Sequence, residues 1–161
     1  MLKIAWSPLY AHPLPEGHRF PMEKYELIPQ QLLHEGTITQ ANLFQPSAMA
    51  EADILTTHKA AYWEALKTLG LSPRQMRRIG FPPSEQLILR EIVIAQGTLD
   101  CAHFALKHGI SMNTSGGTHH AFSDLGEGFC LLNDIAIAAN VLIRDRLAKK
   151  ILIVDLDVHQ G

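Results

Sequence analysis

The most constraining feature of the sequence is the apolar run ILIV at residues 151–154, which ends directly in the charged segment DLDVHQG at 155–161. A run that is rich in β-branched residues and free of polar ones is typical of a parallel strand covered on both faces. Side chains alternate along a strand, so Asp155, Asp157 and His159 are predicted to project to one side. The chain therefore needs layers on both faces of a sheet, and a partner for three ionisable groups.

Those three ionisable groups predict a metal site. Charged side chains on one side of an apolar strand are costly unless something pairs with them. Carboxylates and imidazoles are both zinc ligands, and the ligands of open α/β sheets bind beyond the carboxyl ends of the strands. The alternative is a polar strand exit into a surface loop, and the spacing alone leaves both interpretations open.

A glycine-rich loop upstream supplies candidate catalytic histidines. Residues 116–121 read GGTHHA, and two glycines permit a tight turn and a close approach to a ligand. An imidazole, whose ordinary pKa is about 6.5, suits general acid or base catalysis. Alternatively, one of His119 and His120 is a metal ligand and the other a surface residue, or both are solvated.

A second loop, GEGFCLLND at residues 126–134, joins the histidine loop to an alanine-rich helix. Gly128 and Phe129 would place an aromatic ring at the rim of a cavity. The alternative is a core phenylalanine at the entrance of a helix. Arg19 lies in a proline-rich loop near the N-terminus and is either a buried functional charge or an exposed one.

Short apolar strands alternate with amphipathic helices along the chain, which predicts an α/β protein with a parallel sheet. No internal repeat or linker divides the sequence, so a single domain is expected. The predicted strands are 3–7, 52–57, 110–114 and 151–154. The predicted helices are 22–35 with an interruption at Pro29, 58–69, a short one capped by Ser72, one from Ser84 to about His108, and 131–147.

Composition argues against several classes of partner. The formal net charge is −2, from 14 basic and 16 acidic residues, and no Lys/Arg-rich run indicates a nucleic-acid or membrane surface. No run approaches the roughly 18 apolar residues of a membrane span, and the N-terminus lacks the pattern of a signal peptide. Cys101 and Cys130 are expected to be free thiols, which fits a reducing compartment. A soluble cytoplasmic protein is expected.

The three motifs, in this order, resemble the histone deacetylase family. Its members carry a Gly-Gly-x-His-His-Ala loop, a Gly-Phe-Cys-x-Asn-Asp segment or a close variant, and a strand that ends Asp-x-Asp-x-His-x-Gly. Here these motifs read GGTHHA, GFCLLND and DLDVHQG. The loop HRFPMEKY at residues 18–25 is similar to bacterial and class IV members. The resemblance covers nearly the whole chain, but only about the first half of the family's catalytic domain.

The resemblance implies a fold and an activity. Residues 1–161 are expected to be the N-terminal portion of a single deacetylase catalytic domain, a truncated form of the three-layer, parallel-sheet, arginase-like α/β fold. The implied activity is that of a zinc-dependent hydrolase, which removes acetyl or other acyl groups from N-acyl-lysine or a related N-acyl amine. The implied cofactor is Zn²⁺, with a structural K⁺ as a further ion.

The resemblance also implies roles for individual residues. Asp157 and His159 correspond to two of the three zinc ligands. His119 and His120 correspond to the tandem general acid/base pair. Asp155 corresponds to the carboxylate that orients His119 and that contributes to a site for a monovalent cation.

Two further residues correspond to the walls of the substrate site, and a third corresponds to an internal cavity. Gly128 and Phe129 match the tunnel that holds the acyl-lysine stem, and Arg19 matches the arginine of an internal cavity behind the metal. The third zinc ligand, an aspartate, and the tyrosine that stabilises the oxyanion are expected downstream of Gly161, and Gln160 stands where many members carry histidine. An alternative function is a non-catalytic fragment or subunit that needs a second chain to complete the fold and the site, with self-association or a partner chain.

Overall fold

A computed structural model describes residues 1–159 of the chain. Three parallel strands form a sheet in the order β2-β1-β3, with β1 at Lys3–Ala5, β2 at Leu43–Phe44 and β3 at Ser111–Asn113. The central strand β1 pairs Ile4 with Leu43 on one side and with Met112 on the other. The strands predicted at 3–7 and 110–114 are confirmed. β2 is too short for its sequence pattern to indicate a strand.

Six α-helices lie within the described part of the chain, and three of them begin at a residue whose side chain caps the helix. The Ser84 side chain accepts a hydrogen bond from the backbone N–H of Leu87 at 3.0 Å, which confirms the predicted start of the longest helix. Ser72 caps its helix in the same way. The helices are α1 (Lys24–His34), α2 (Glu51–Ile54), α3 (Ala60–Lys67), α4 (Pro73–Ile79), α5 (Glu85–His108) and α6 (Asp134–Arg144).

The extended segment predicted at residues 52–57 is wrong, because α2 lies there. Glu51 and Asp53 occupy its first turn, where a carboxylate interacts favourably with the helix dipole. Ile54 is its one buried residue, so the segment shows one buried side chain per turn and not the alternation of a strand.

The predicted interruption at Pro29 does not break α1, which continues through this residue. A proline lacks the N–H that would otherwise bind the carbonyl four residues earlier, here that of Tyr25. The indole Nε1 of Trp6 donates to this carbonyl at 2.8 Å instead. A side chain just beyond β1 therefore satisfies the group that the proline leaves without its helical partner.

The hydrophobic core lies where α5 packs against α6 on one side and against the sheet on another. α5 buries one face along most of its 24 residues, which makes it the central element of the fold. The α6 contribution comes from a regularly spaced apolar stripe. The core residues of the two helices include Leu87, Val93, Ile94, Leu99, Ile137, Ala138 and Val141. No helix among the described residues is both long enough and apolar enough to span a membrane.

The buried strand predicted at residues 151–154 is wrong for this structure. The segment from Ile151 to His159 forms no ladder with any described strand, and Leu152 and Val154 are 84% and 67% exposed. A parallel strand needs a neighbour to pair with and a layer on each face. The described chain supplies neither for this segment, so an apolar run suited to burial lies on the surface. Gln160 and Gly161 lie outside the described residues.

His12, in the proline-rich N-terminal loop, is buried, with 4% of its surface exposed. Its ring packs edge-on against Phe81, and neither ring nitrogen has a hydrogen-bond partner among the described residues. Burial lowers the pKa of His12 to about 4, and the charges of Arg90 and His18 act in the same direction. The native state therefore holds His12 neutral.

This burial predicts a loss of stability in acid. The unfolded chain binds a proton at His12 below about pH 6.5, whereas the folded chain does so only near pH 4, so the free energy of unfolding falls as pH drops between these values. Replacement of His12 by Phe should remove up to about 3 kcal/mol of this pH-dependent fall in the free energy of unfolding, as measured by urea titrations at several pH values. His34, exposed at the end of α1, is the control, and an equal effect of His34→Phe would contradict the assignment.

Candidate active site

Three side chains form a linear arrangement at the centre of the candidate site. The Nδ1 atom of His119 lies 2.8 Å from the Oδ2 atom of Asp155, and its Nε2 atom lies 3.1 Å from Nε2 of His120. The two imidazole rings are nearly perpendicular, at 75°. A carboxylate can only accept from Nδ1–H, so a neutral His119 presents Nε2 as an acceptor and His120 is then the donor. The arrangement can hold or move a proton along Asp155, His119 and His120.

Gly116 and Gly117, which lie just before the histidine pair, are each required to be glycine for a different structural reason. Gly117 has a φ of +89°, a conformation that other residues rarely adopt. A Cβ atom on Gly116 would lie 2.8 Å from the Oδ2 atom of Asp134. The close approach predicted from the sequence is therefore an approach to a carboxylate of the same chain.

Gly128 and Phe129 lie beside His120 and are anchored to the end of α4. The backbone N–H of Phe129 donates to the carbonyl of Ile79 at 2.7 Å, although Phe129 itself has a φ of +67°. A Cβ atom on Gly128 would lie 2.7 Å from Cδ2 of the His120 ring. Only a glycine lets this loop pack against the histidine.

The Phe129 ring belongs to an aromatic cluster at the edge of the site. Its centroid lies 4.9 Å from that of Phe20 and 5.0 Å from that of Phe81. Arg19 is exposed, and its guanidinium carbon lies 4.9 Å from the Phe129 ring centroid. The buried arginine near the site is Arg90, which sequence reasoning does not single out because it lies within an apolar helical stretch.

Asp157 and His159 contact each other next to the histidine pair. The Nδ1 atom of His159 lies 3.0 Å from the Oδ1 atom of Asp157, and the His159 and His120 ring centroids are 6.0 Å apart. The His159 backbone N–H, followed by its side chain, lowers the pKa of the Asp157 carboxyl. Both side chains are exposed.

The chemistry of this pair, one carboxylate and one imidazole, suits zinc, which takes three protein ligands in catalytic sites. Within residues 1–159 no group of three or more His, Cys, Asp or Glu side chains is arranged to hold a metal ion. Asp157 and His159 can therefore supply part of a zinc site.

These elements enclose an open cleft of about 580 Å³. Cys130 lines it, and burial raises the pKa of its thiol to about 12, so the sulfur is protonated and is not a nucleophile. The thiol is therefore not among the reactive groups of the cleft. The cleft is lined by Arg19, Phe20, Pro21, Lys24, Tyr25, Arg90, residues 115–120, residues 128–130, Asp157 and His159.

A family model for the histone deacetylase domain matches residues 18–161. The chain belongs to the histone deacetylase family. An uncharacterised protein of Picosynechococcus is 44% identical over 158 residues, which cover 98% of this chain and 53% of that protein. Histone deacetylase 2 of Arabidopsis thaliana is 26% identical, and the acetoin utilization protein AcuC of Staphylococcus aureus is 27% identical. The alignments cover 89% and 91% of this chain, and 39% and 40% of those proteins.

Solved structures of histone deacetylase homologs share the fold. One, complexed with SAHA, superposes with a TM-score of 0.75 at 21% identity, over 89% of this chain and 41% of its own. The homolog from Aquifex aeolicus gives a TM-score of 0.72 at 21% identity, with the same coverage. The family and the three-layer deacetylase fold predicted from the motifs are confirmed. The chain spans about half, or less, of the length of the relatives that it matches.

The packing of Gly128 against His120 predicts a local effect of Gly128→Ala. Gly128 and Gly36 both have positive φ, +55° and +71°, so alanine at either position costs about 1–2 kcal/mol of backbone energy. Only at Gly128 does the new methyl meet a neighbour, whereas Gly36 has nothing within 4 Å. Gly128→Ala should therefore lower the free energy of unfolding by about 1–3 kcal/mol more than Gly36→Ala, in urea titrations.

The same substitution should also move the His120 ring signals in NMR spectra, which Gly36→Ala should leave in place. Equal losses of stability in the two variants, with unchanged His120 signals, would show that the loop does not pack against the histidine.

Proposed function

We propose that this chain contributes the general acid/base pair and two zinc ligands of a deacylase, which hydrolyses the acyl amide of N-acyl-lysine or a related N-acyl amine. The observation that supports this most directly is the contact series from Asp155 through His119 to His120, beside Asp157 and His159 in one cleft. Membership of the histone deacetylase family supports the same reaction class.

In this proposal Asp157 and His159 hold zinc, which supplies polarisation of the substrate carbonyl and a lowered pKa for a bound water. Since the Nε2–H of His120 donates to Nε2 of His119 at 3.1 Å, His120 accepts the water proton at its other ring nitrogen, Nδ1, as the oxygen attacks the amide carbon. The resulting positive charge is shared between the two rings, and Asp155 stabilises it at Nδ1 of His119. The same proton then passes to the departing amine nitrogen, which yields a carboxylic acid and a free amine.

Gly128 and Phe129 are proposed to hold the acyl-lysine stem. Gly128 leaves the surface beside His120 free of a side chain. The Phe129 ring offers an apolar face, and the Phe20 and Phe81 rings pack against it. A role for Arg19 in an internal cavity, a K⁺ site at Asp155 and a cytoplasmic location stay predictions.

Replacement of His120 by Ala in the full-length protein should lower the rate of deacylation of an acetyl-lysine peptide by about 10²–10⁴. His108, exposed at the end of α5, is the matched control, and His108→Ala should leave the rate unchanged. Removal of zinc with a chelator should abolish activity in the wild type, and zinc should restore it. An unchanged rate in His120→Ala would refute the assignment.

A second candidate function is a subunit that needs another chain to complete its fold. The observation that favours it is the exposed apolar face around the proposed ligands, where Leu156 and Val158 are each 91% exposed. Apolar surface of this kind usually marks a protein–protein contact. The partner would cover this face and contribute the remaining zinc ligand.

This second candidate predicts self-association of the 161-residue chain or capture of a partner. Light scattering should give an apparent mass above 17.9 kDa that rises with protein concentration. Leu156→Lys should reduce the association, whereas Leu106→Lys, at a 54% exposed position on α5, should not. A monodisperse wild-type monomer at all concentrations would exclude self-association.

A further inference from the structure

Asp134, the first residue of α6, carries a carboxylate that is 0% exposed and that forms no ion pair among residues 1–159. Four donors surround it instead. The backbone N–H groups of Gly117 and Thr118 lie 3.0 and 2.7 Å from its oxygens, and the hydroxyls of Thr118 and Thr98 lie at 2.6 and 2.5 Å. A buried carboxylate without such donors is strongly disfavoured, so this charge and the loop before the histidines fix each other.

Asn133, the residue before Asp134, holds the chain on both sides of His120. Its side-chain Nδ2 donates to the carbonyl of His119 at 3.3 Å and to the carbonyl of Ala121 at 3.1 Å. Its Oδ1 accepts from the backbone N–H of Ala136 at 3.0 Å and so caps α6. One side chain therefore combines a helix cap, which any short polar residue can provide, with two amide donations that need Asn.

His58 fixes this asparagine in turn. The ring Nε2 of His58 accepts from the backbone N–H of Asn133 at 3.0 Å, and His58 is buried. The N-terminus of α6 is thereby joined to the segment between α2 and α3. The carbonyls of His119 and Ala121 are therefore bound to the start of a helix that a buried side chain holds in place.

We propose that Asn133 and Asp134 are positioning residues for the histidine pair: Asp134 fixes the turn before it, and Asn133 fixes the carbonyls that flank His120. The inference rests on the proposed acid/base function of this pair. A displacement of about 1 Å in a catalytic group can cost about 10²-fold in rate, so this clamp sets the turnover number without touching substrate.

The decisive variant is Asn133→Ser in the full-length protein. Serine retains a hydroxyl that can accept from the N–H of Ala136, so the cap survives, while both amide donations disappear. The expected result is a kcat lowered about 10- to 100-fold, with a KM within about 2-fold of the wild type. The melting temperature should change by less than about 4 °C.

Ser72→Ala is the matched control, because it removes the cap of α4 without any contact to the histidine loop. It should lower the melting temperature by about 2–4 °C and leave kcat unchanged. A kcat for Asn133→Ser equal to that of the wild type would overturn the proposal. So would a loss of kcat in Ser72→Ala as large as that in Asn133→Ser, because stability would then explain both.

A readout without catalysis separates this proposal from the proposed function. In ¹⁵N-histidine-labelled protein, Asn133→Ser should shift the ring signals of His119 and His120, and Ser72→Ala should not. If the wild type deacylates no acyl-lysine peptide but the signals shift, the clamp stands and the proposed reaction is wrong. Unchanged ring signals in Asn133→Ser would overturn the clamp itself.

Discussion

A pair of adjacent buried charges on α5 connects three chain segments beside the cleft. Arg90 and Glu91 are each 2% exposed and form an ion pair. Arg90 also donates from Nε to the carbonyl of Tyr10 at 2.7 Å and lies 3.4 Å from the Ser115 hydroxyl, and Glu91 accepts from the backbone N–H of Leu131 at 3.4 Å. A pair of this kind is tolerated in a core only when further hydrogen bonds satisfy both partners. These partners are the N-terminal loop, the start of the histidine loop and the segment before α6.

Close packing against α5 also holds the N-terminal loop in place. A Cβ atom on Gly97 would lie 2.4 Å from the Tyr10 hydroxyl, so the 97 position must be a glycine for Tyr10 to enter the core. Tyr10 is completely buried, and its carbonyl is the one that Arg90 holds. A mid-helix glycine is normally unfavourable, and here the loss is offset by the volume that an aromatic side chain fills. The N-terminal loop is thus fixed to α5 by the hydrogen bond from Arg90 and by the packing of the Tyr10 ring against Gly97.

Capping residues and the helical spacing of apolar residues made most helices predictable. Ser72, Ser84 and Gly109, for example, mark helix ends by local chemistry alone. The histidine, glycine and aspartate motifs were likewise visible, because their residue types are costly without a structural or chemical reason. Long-range contacts could not be predicted from the sequence. The indole of Trp6 that satisfies the Tyr25 carbonyl lies 19 residues away, and Arg90 reads as part of an apolar helix until its partners are known. The segment at 151–154 has the sequence of a buried strand, but its burial depends on neighbours that no local pattern supplies.

The exposed segment also determines how strong the central contact of the site can be. Asp155 is 36% exposed in its side chain, and an ion pair or charged hydrogen bond that water reaches is worth little. Polypeptide packed over both faces of the segment at residues 151–159 would exclude that water and lower the local dielectric constant. The Asp155–His119 contact would then hold its geometry and its charge far more strongly. In the proposed function, covering this segment and strengthening the Asp155–His119 contact would therefore occur together.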